Sequence, residues 1–599
     1  MSRRFRKSAW LAVSLLVLVS LVLTACGTPE QPTEEPAQEP TAVPTEAPTE
    51  PEEDEEPTEV VEPTQEPTPE PTEPPEPKSV TLTSTEGDPE SLNPLYAYSW
   101  ISELVFDLTL LPLWNIDNDG EYHMELATEL PTVDNGLISE DNTVVTIPLR
   151  EDAVWSDGEP VTADDAVFTY EMYMDEANGV ASRYPWDTYV DEVKAVDDHT
   201  LEIQLTESYP DWSTSLFVGI SRIVPEHILG PVYEEEGTLD NAEWNQMPSV
   251  SNGQYTLTEY QSASHLIFEA NDTYWRGRPN LDMFYLRLVE DRAAQLAALE
   301  SGESDIGSYI VGSEVPKLEE MGNMEIHQAA NGYQVTMYLN IDPETAHTAM
   351  TNPDVRRALA LAIDRQLIVD ELYNGLYEVP ATYWHGTQYQ APELEAYPYD
   401  PEEAKTLLDE AGWNDDNGDG VREKDGEDLV LRYVYISGDE TTDTMVVTMQ
   451  QMLADVGIKM EIQGGTSEVL WASYEESGPL AIGEYELTHW SDGMWYYPSP
   501  DTSYFLCDQI PSEDNPWGYN WFGICDPQLD ELFKEQAVTM DRERRTELFH
   551  EISRLMYEQT LIIPIRMDPD VWAVNERLTG VEFSGIDPLM YAYQWDVAQ

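Results

Sequence analysis

A dense group of aromatic side chains surrounds one carboxylate, Asp492, in the last fifth of the chain. Eight tryptophan and tyrosine residues fall within 32 positions: Trp490, Trp495, Tyr496, Tyr497, Tyr504, Trp517, Tyr519 and Trp521. Aromatic faces bind sugars, quaternary amines and peptide side chains, but they also fill protein interiors. We expect Trp490 and Trp521 to face a ligand, with Trp495, Tyr504 and Asn520 beside them, and packing inside the protein is the alternative for each.

A smaller aromatic group follows a predicted turn near residue 93. Asn93-Pro94 is typical of a turn, and Tyr96, Tyr98 and Trp100 come directly after it. These three side chains are further candidates for ligand contact.

One acidic turn has the beginning of a calcium loop. Asp415, Asn417 and Asp419 stand at positions 1, 3 and 5, and a glycine occupies position 6, but position 12 is Gly426, where a bidentate acid is needed. A tight polar turn is the alternative. No other metal site is predicted.

Sequence signatures of common hydrolases are absent. The chain has no GxSxG, SxxK or HExxH pattern, so we expect neither an enzyme nor a cofactor. A surface hydrolase that uses paired carboxylates, as glycosidases do, remains the alternative, because spacing cannot reveal such a pair in so acidic a chain.

The first 26 residues have the pattern of an export signal. Arg3, Arg4, Arg6 and Lys7 precede a 14-residue apolar or small run, which is too short for a membrane-spanning helix. The segment that ends at Cys26, LTAC, resembles a bacterial lipobox. Residues 1–26 are therefore expected to be a lipoprotein signal peptide, with Cys26 acylated as a membrane anchor.

Residues 27–78 are predicted to form an extended, disordered tether. This segment is rich in proline, glutamate and threonine and cannot bury a core.

The remaining chain is strongly acidic. Seventeen of the 117 acidic and five of the 29 basic side chains lie before residue 80, so residues 80–599 carry 100 acidic and 24 basic side chains, a net charge of −76. Nucleic acid is excluded as a partner, because binding it requires a cationic surface.

Apolar spacing and cap residues in the remaining chain predict a mixed α/β protein. Residues 143–149 and 201–205 have β-strand patterns, and residues 561–565 form a short apolar run. Helices are predicted to start after Thr162, Asn352, Asp400 and Asp526. The remaining cysteines, Cys507 and Cys525, are expected to form a disulfide in an exported protein.

Several segments, in order, resemble the family 5 extracellular solute-binding proteins of ABC importers, the oligopeptide-, dipeptide- and nickel-binding type. Residues 149–168, LREDAVWSDGEPVTADDAVF, are similar to the family's signature segment, and residues 355–365, VRRALALAIDR, are similar to a second hallmark. Further similar segments are residues 88–94 (DPESLNP), 299–306 (LESGESDI), 399–404 (YDPEEA) with 412–413 (GW), and 525–530 (CDPQLD). Together they cover essentially the whole core.

The resemblance implies a two-lobed, class II periplasmic-binding-protein fold of the large oligopeptide-binding type. The solute-binding domain would span residues 79–599. Lobe I would comprise about 79–330 and 565–599, including an extra subdomain at about 116–247, and lobe II would comprise about 331–564.

The resemblance also implies a function and places one residue in it. A peptide or related solute, such as an oligosaccharide, an opine or a nickel chelate, would be captured between the lobes and delivered to the permease subunits, with the protein a monomer outside the cytoplasm. Asp492 lies close to the carboxylate that binds the amino group of peptides in the family, although the surrounding stretch is lengthened by aromatic residues and its Asp-Pro order is altered. A solvated carboxylate is the alternative for Asp492. A sensor ectodomain on the same fold is a further alternative.

Overall fold

The computed structural model describes residues 77–118, 120–493 and 503–598. The predicted signal peptide, Cys26, nearly all of the tether and Trp495 therefore lie outside the described residues. In the described part of the chain, no helix is both long enough and apolar enough to cross a membrane.

The described residues form strands and helices in alternation, as predicted. The strands are β1 (Ser79–Ser84), β2 (Trp114–Ile116), β3 (Tyr122–Met124), β4 (Val144–Pro148), β5 (Val190–Asp197), β6 (Thr200–Leu205), β7 (Tyr255–Gln261), β8 (His265–Ala270), β9 (Met283–Leu288), β10 (Ile306–Gly307), β11 (Met324–Ala329), β12 (Tyr333–Leu339), β13 (Glu423–Lys424), β14 (Glu427–Asp428), β15 (Val430–Ile436), β16 (Lys459–Gly465), β17 (Leu487–Gly493), β18 (Ile562–Met567), β19 (Asp570–Asn575), β20 (Leu578–Thr579) and β21 (Asp596–Val597). The α-helices are α1 (Trp100–Thr109), α2 (Ala163–Met174), α3 (Trp186–Tyr189), α4 (Trp212–Ser215), α5 (Glu226–Glu236), α6 (Arg292–Ser301), α7 (Val315–Met321), α8 (Pro353–Ala362), α9 (Arg365–Leu372), α10 (Pro401–Glu410), α11 (Glu440–Asp455), α12 (Ser467–Leu470), α13 (Pro527–Gln536) and α14 (Arg542–Gln559).

The cap residues act as the sequence predicts. The side chains of Asn352, Asp400 and Asp526 each accept a hydrogen bond from a backbone N–H in the first turn of α8, α10 and α13, at 3.0, 2.9 and 2.8 Å. These bonds satisfy N–H groups that have no partner inside the helix. The helix starts predicted at these residues are confirmed.

Lobe I is built on a seven-stranded sheet in the order β11-β19-β10-β1-β9-β8-β7. Strand β1 is parallel to both β9 and β10, while β19 runs antiparallel to β10 and β11. A separate three-stranded sheet, β4-β6-β5, lies in the segment expected to form the extra subdomain, and the apolar core around it, which includes Trp155, Trp186 and Trp212, continues to Phe106 of α1.

Lobe II is built on a five-stranded sheet in the order β16-β15-β17-β12-β18. Its central strand β12, YQVTMYL, is buried on both faces from Gln334 onward, which fits its β-branched and aromatic residues. The chain changes from one large sheet to the other at residues 330–332 and returns at residues 568–569. The boundary expected near 565 falls inside β18, a few residues before this second crossing.

The two lobes also meet away from the crossings. Arg545 Nη1, on α14 of lobe II, donates to Asp211 Oδ1 of the subdomain at 2.5 Å, and both side chains are buried. Nearby, Ser208 Oγ donates to the carbonyl oxygen of Val538 at 2.8 Å, and Arg542 lies over the Tyr122 ring at 4.6 Å. The lobes are therefore joined by a buried ion pair as well as by the two crossings.

A buried guanidinium holds three separate parts of lobe I together. Arg222 is fully buried, and its Nη2 donates to Asp107 Oδ1 of α1 at 2.9 Å and to Asp587 Oδ1 near the C-terminus at 3.1 Å. Burial raises the pKa of both carboxyls, and Arg222 opposes the shift. Without the arginine, two neighbouring carboxylates would be buried without a counter-charge.

We therefore predict that Arg222→Met lowers the free energy of unfolding by about 3–5 kcal/mol at pH 8, as expected when one partner of a buried ion cluster is removed. The loss should shrink near pH 5, because protonation of Asp107 and Asp587 removes the repulsion. Urea unfolding of the full chain followed by tryptophan fluorescence measures both values. Arg554→Met is the control, since its ion pair with Glu393 is exposed and its loss should cost less than about 1 kcal/mol. Equal losses in the two variants would contradict the prediction.

Candidate functional site

Two cavities open where the chain passes between the large sheets. The first, named here the hinge chamber, has a volume of about 410 Å³ and is lined by Glu86, Trp100, Arg292, Tyr309, Ile310, Val311, Asn331, Tyr333, Tyr377, Asp568, Pro569, Asp570, Val571 and Gly585. The second, the subdomain chamber, has a volume of about 650 Å³ and extends from Trp100 and Glu103 toward Trp186, Tyr209 and Ile220. Trp100 and Tyr333 line both. Cavities of this size are typical of small-molecule sites.

Tyr333 lies at the centre of this region. It is the first residue of β12, pairs with Gly493 of β17, and its carbonyl oxygen accepts from the Asp568 N–H at 2.8 Å. A Cβ at position 493 would lie 2.7 Å from the Tyr333 ring, so only glycine allows the ring this position. Burial raises the pKa of the Tyr333 hydroxyl, and the charges of Asp492, Asp570 and Glu103 raise it further. Three carboxyl groups therefore act on one ring.

Asp492 is placed at the end of β17 by two tyrosines. Its Oδ2 accepts hydrogen bonds from Tyr383 at 2.8 Å and from Tyr338 at 2.9 Å. Burial raises the pKa of the Asp492 carboxyl, and these hydrogen bonds hold it down in part. No arginine or lysine among the described residues contacts the carboxylate. Asp492 lines neither chamber, and its charge acts on Tyr333, which lines both.

Asp570 lines the hinge chamber as the first residue of β19, directly after the second crossing. Its Oδ1 accepts from Asn331 Nδ2 of the first crossing at 3.0 Å, and its Oδ2 is buried without a protein partner in the described chain. Burial raises the pKa of the Asp570 carboxyl to about 7, with Asn331 lowering it and Asp568 raising it. The two crossings are thus joined by a bond that involves a cavity-lining carboxyl group.

Glu103 lines the subdomain chamber from α1, the helix that also carries Asp107. Burial raises the pKa of the Glu103 carboxyl well above its usual range, and the nearby Asp107 and Asp587 raise it further. The cavity wall therefore continues directly into the buried Arg222 cluster.

The aromatic group predicted to face a ligand is packed around Tyr338 in lobe II. The Tyr338 ring stacks against Trp490 at 4.1 Å and Phe522 at 4.5 Å, and Trp471 contacts Trp490 and Trp521 at 4.9 and 5.2 Å. Trp490, Trp521 and Tyr504 line neither chamber. Their described contacts orient the residues that hold Asp492.

Asn520 has an internal role next to the disulfide. Its Nδ2 donates to the carbonyl oxygens of Leu506 and Ile524 at 2.8 and 2.6 Å, and the side chain is fully buried. Cys507 and Cys525 are joined as a disulfide across the same loop. The structure does not bring Asn520 to either chamber.

The residues after the predicted turn at residue 93 have different positions. Tyr96 donates to Asp240 Oδ1 at 3.0 Å outside both chambers, Tyr98 is 76% exposed at the edge of the subdomain chamber, and Trp100 lines both chambers. Of the three, only Trp100 is placed between the two cavities.

The acidic turn at 415–420 satisfies its own backbone. Asp415 accepts from the N–H groups of Gly418 and Gly420 at 2.7 and 3.0 Å, and Asn417 and Asp419 accept from N–H groups two residues later. Among the described residues, no group of three or more His, Cys, Asp and Glu side chains is arranged to hold a metal ion.

Sequence reasoning missed Glu103, Tyr309, Asn331, Tyr333 and Asp570. One signal was available: residues 568–570 read Asp-Pro-Asp between two apolar strands, which is unusual for a tight hairpin inside a buried sheet. Such a polar break is typical of a segment that leaves one sheet and enters another. No motif or polar break in the sequence distinguishes the other four residues from their neighbours.

Comparison with known proteins agrees with this architecture. The sequence profile described as "Bacterial extracellular solute-binding proteins, family 5 Middle" matches residues 121–510. The oligopeptide-binding protein AppA of Bacillus subtilis is 24% identical over 522 residues, which are 86% of this chain and 90% of AppA.

Two solved structures share the fold. AppA of Bacillus subtilis in complex with a nonapeptide has a TM-score of 0.61 and 22% identity, covering 88% of this chain and all of that one. NikZ of Campylobacter jejuni in complex with Ni(L-His) has a TM-score of 0.63 and 22% identity, covering 87% of this chain and all of that one. The fold is therefore the two-lobed periplasmic-binding-protein fold, and the chain belongs to the bacterial extracellular solute-binding proteins of family 5.

Proposed function

We propose that the protein is the extracytoplasmic substrate-binding component of an ABC importer. Its two lobes would close around a peptide or related solute and present it to the permease subunits. An acyl group on Cys26 would anchor it, and residues 27–78 would let the domain reach the transporter. Family membership, the two-lobed fold and the names of the relatives support this proposal.

The observation that carries the proposal is the position of the two chambers. The hinge chamber is lined from both lobes and from both crossings, so a rotation about the crossings changes its shape more than it changes either sheet. Carboxyl and aromatic groups line it, and binding alone requires no reaction of the ligand. Recovery of bound peptides intact by mass spectrometry supports this role, whereas steady turnover would favour a hydrolase.

A free amino group is the chemistry best matched to Asp492. The carboxylate is partly buried, and it is held by hydrogen bonds from the hydroxyls of Tyr338 and Tyr383, from the Trp490 side chain and from the Gly493 backbone, all of them neutral donors. An ammonium group at this point would supply the positive charge that the described residues do not place next to Asp492. We therefore propose that the free N-terminus of a peptide binds at Asp492, next to Gly493 and Tyr333.

We predict that Asp492→Asn weakens binding of pentaalanine by about tenfold or more, because a hydrogen bond between an ammonium group and a desolvated carboxylate is lost. N-acetylated pentaalanine should bind both proteins with equal, low affinity. Isothermal titration calorimetry measures these constants. Asp508→Asn, which removes an exposed carboxylate from the neighbouring loop, should leave them unchanged. Unchanged affinity of Asp492→Asn would remove this residue from the site.

The ion pair between the lobes should control ligand release. Asp211→Asn removes the carboxylate partner of buried Arg545 and is expected to raise the dissociation rate of a bound peptide several-fold, since this ion pair forms only when the subdomain and α14 are in contact. Stopped-flow fluorescence measures that rate. The control is Glu393→Gln, which removes an exposed ion pair within lobe II. If both variants release peptide at the rate of the unaltered protein, the pair has no part in closure.

The anchor can be tested without a ligand. In a bacterial host that acylates lipoproteins, the unaltered chain should fractionate with membranes, while Cys26→Ser should remain uncleaved at its signal peptide and lack the lipid. Metabolic labelling with a palmitate analogue distinguishes them. Labelling of both proteins, or of neither, contradicts acylation at Cys26.

A further inference from the structure

Three residues that line the hinge chamber each carry a buried polar atom without a hydrogen-bond partner among the described residues. They are Asp570 Oδ2, Tyr309 OH and Trp100 Nε1. Most buried polar atoms in proteins are paired, so three such atoms around one cavity indicate complementary groups on a ligand. Asp570 requires a donor, Trp100 requires an acceptor, and the Tyr309 hydroxyl can take either.

The charges around the chamber define the donor more closely. Its two nearby guanidinium groups are already engaged: Arg292 donates to the Tyr309 carbonyl oxygen and lies 3.6 Å from Glu314, and Arg566 donates to Asp568 at 2.6 Å. No ion pair is formed by Asp570 within the described chain. A carboxylate that is 9% exposed therefore has an amide as its only described partner.

We infer that the hinge chamber binds the cationic side chain of a peptide ligand, with the ammonium or guanidinium group on Asp570 and peptide carbonyl oxygens accepting from Trp100 and Tyr309. This inference rests on the proposed function, because it assigns a second subsite to the same cleft. The first subsite, at Asp492, takes the amino terminus.

The aromatic walls favour this class of ligand. Trp100 and Tyr309 lie with ring centroids 6.3 Å apart, and Tyr309 lies 5.9 Å from the buried Trp572. Aromatic faces stabilise cations, and an indole N–H needs an acceptor oxygen. A fully protonated polyamine supplies cations but no acceptor. A peptide with lysine or arginine supplies both.

The protonation of Asp570 gives an independent test. The charged or titratable groups around it are Asp568 on its own turn, Glu103 on α1, Glu86 and Arg292 in the chamber lining, and Tyr309 and Tyr333 on the chamber wall, with Arg566 held by Asp568. Burial raises the pKa of Asp570 to about 7. A bound cation favours the ionised carboxyl, so binding releases a proton, and affinity for the cationic group falls as pH drops below 7.

The experiment uses the full chain and alanine pentapeptides in which each position in turn carries lysine or norleucine. Norleucine has the same chain without the ammonium group, so the ratio of the two dissociation constants isolates the charge. At pH 8 we expect norleucine peptides to bind at least about tenfold more weakly at one position or more, as loss of a charge-assisted hydrogen bond implies. Spermidine, which lacks carbonyl groups, should bind more weakly than that lysine peptide.

Two further measurements assign the effect to Asp570. Asp570→Asn keeps an acceptor for Asn331 and should bring the norleucine-to-lysine ratio of dissociation constants close to one, while norleucine peptides bind within about threefold of their original affinity. In the unaltered protein this ratio should fall as the pH is lowered from 8 to 6. The amino terminus of the peptide also titrates in this range, but it does so equally in both peptides and cancels in the ratio.

The outcomes separate the two proposals. A ratio near one at all five positions, with the peptides still bound, overturns the cationic subsite and leaves the importer proposal intact. Failure of every pentapeptide to bind contradicts the peptide part of the proposed function itself. Spermidine that binds as tightly as the best lysine peptide overturns the requirement for carbonyl oxygens. If Asp570→Asn does not fold, a ratio in the unaltered protein that stays the same between pH 8 and pH 6 still overturns the assignment to Asp570.

Discussion

Arg222 lies fully buried between Asp107 and Asp587, and the wall of the cleft depends on this contact. Helix α1 carries Asp107 at one end and the cavity residues Trp100 and Glu103 at the other. The C-terminal segment that carries Asp587 also places Gly585 against the first crossing, where a Cβ would lie 2.0 Å from the Ala330 carbonyl oxygen. One guanidinium group thus connects the cavity wall, the subdomain and the crossing.

The buried carboxyl groups around the cleft lower the free energy of unfolding. Burial raises the pKa values of Glu103, Asp492 and Asp570, which means that the folded state disfavours their ionised forms. Each such carboxyl group makes the protein less stable as the pH rises from the pKa of the group in the unfolded chain, near 4, toward its higher pKa in the folded protein. The chain already carries a large negative charge, which adds repulsion. Buried carboxyl groups without a cation therefore lower the stability of the folded state, and the ligand contact proposed above would offset this cost.

The sequence predicted what depends on neighbouring residues and missed what depends on distant ones. Asn352, Asp400 and Asp526 cap their helices within two or three residues, so local rules were sufficient. Asp570 lines a cavity because β19 pairs with β10 and β11, more than 240 positions earlier, and no local pattern contains that pairing. Aromatic density identified a real cluster around Tyr338, but composition does not distinguish Trp490, which packs against that ring, from Trp100, which faces the cavities. The family motifs predicted the fold because they occur in the same order along nearly the whole core, so they carry information on distant pairings that local patterns lack.

The same charges relate ligand binding to closure. Asp492 belongs to lobe II, whereas Glu103 and Asp570 belong to lobe I, and all three act on Tyr333. Carboxylates on opposite sides of a closing cleft repel each other more strongly as water is excluded, so the closed form is disfavoured when the groups are ionised and no cation lies between them. A ligand with an amino terminus and a basic side chain, as proposed here, would remove this repulsion and contact both lobes. Its binding energy would then favour closure, which is the differential affinity that a conformational change requires.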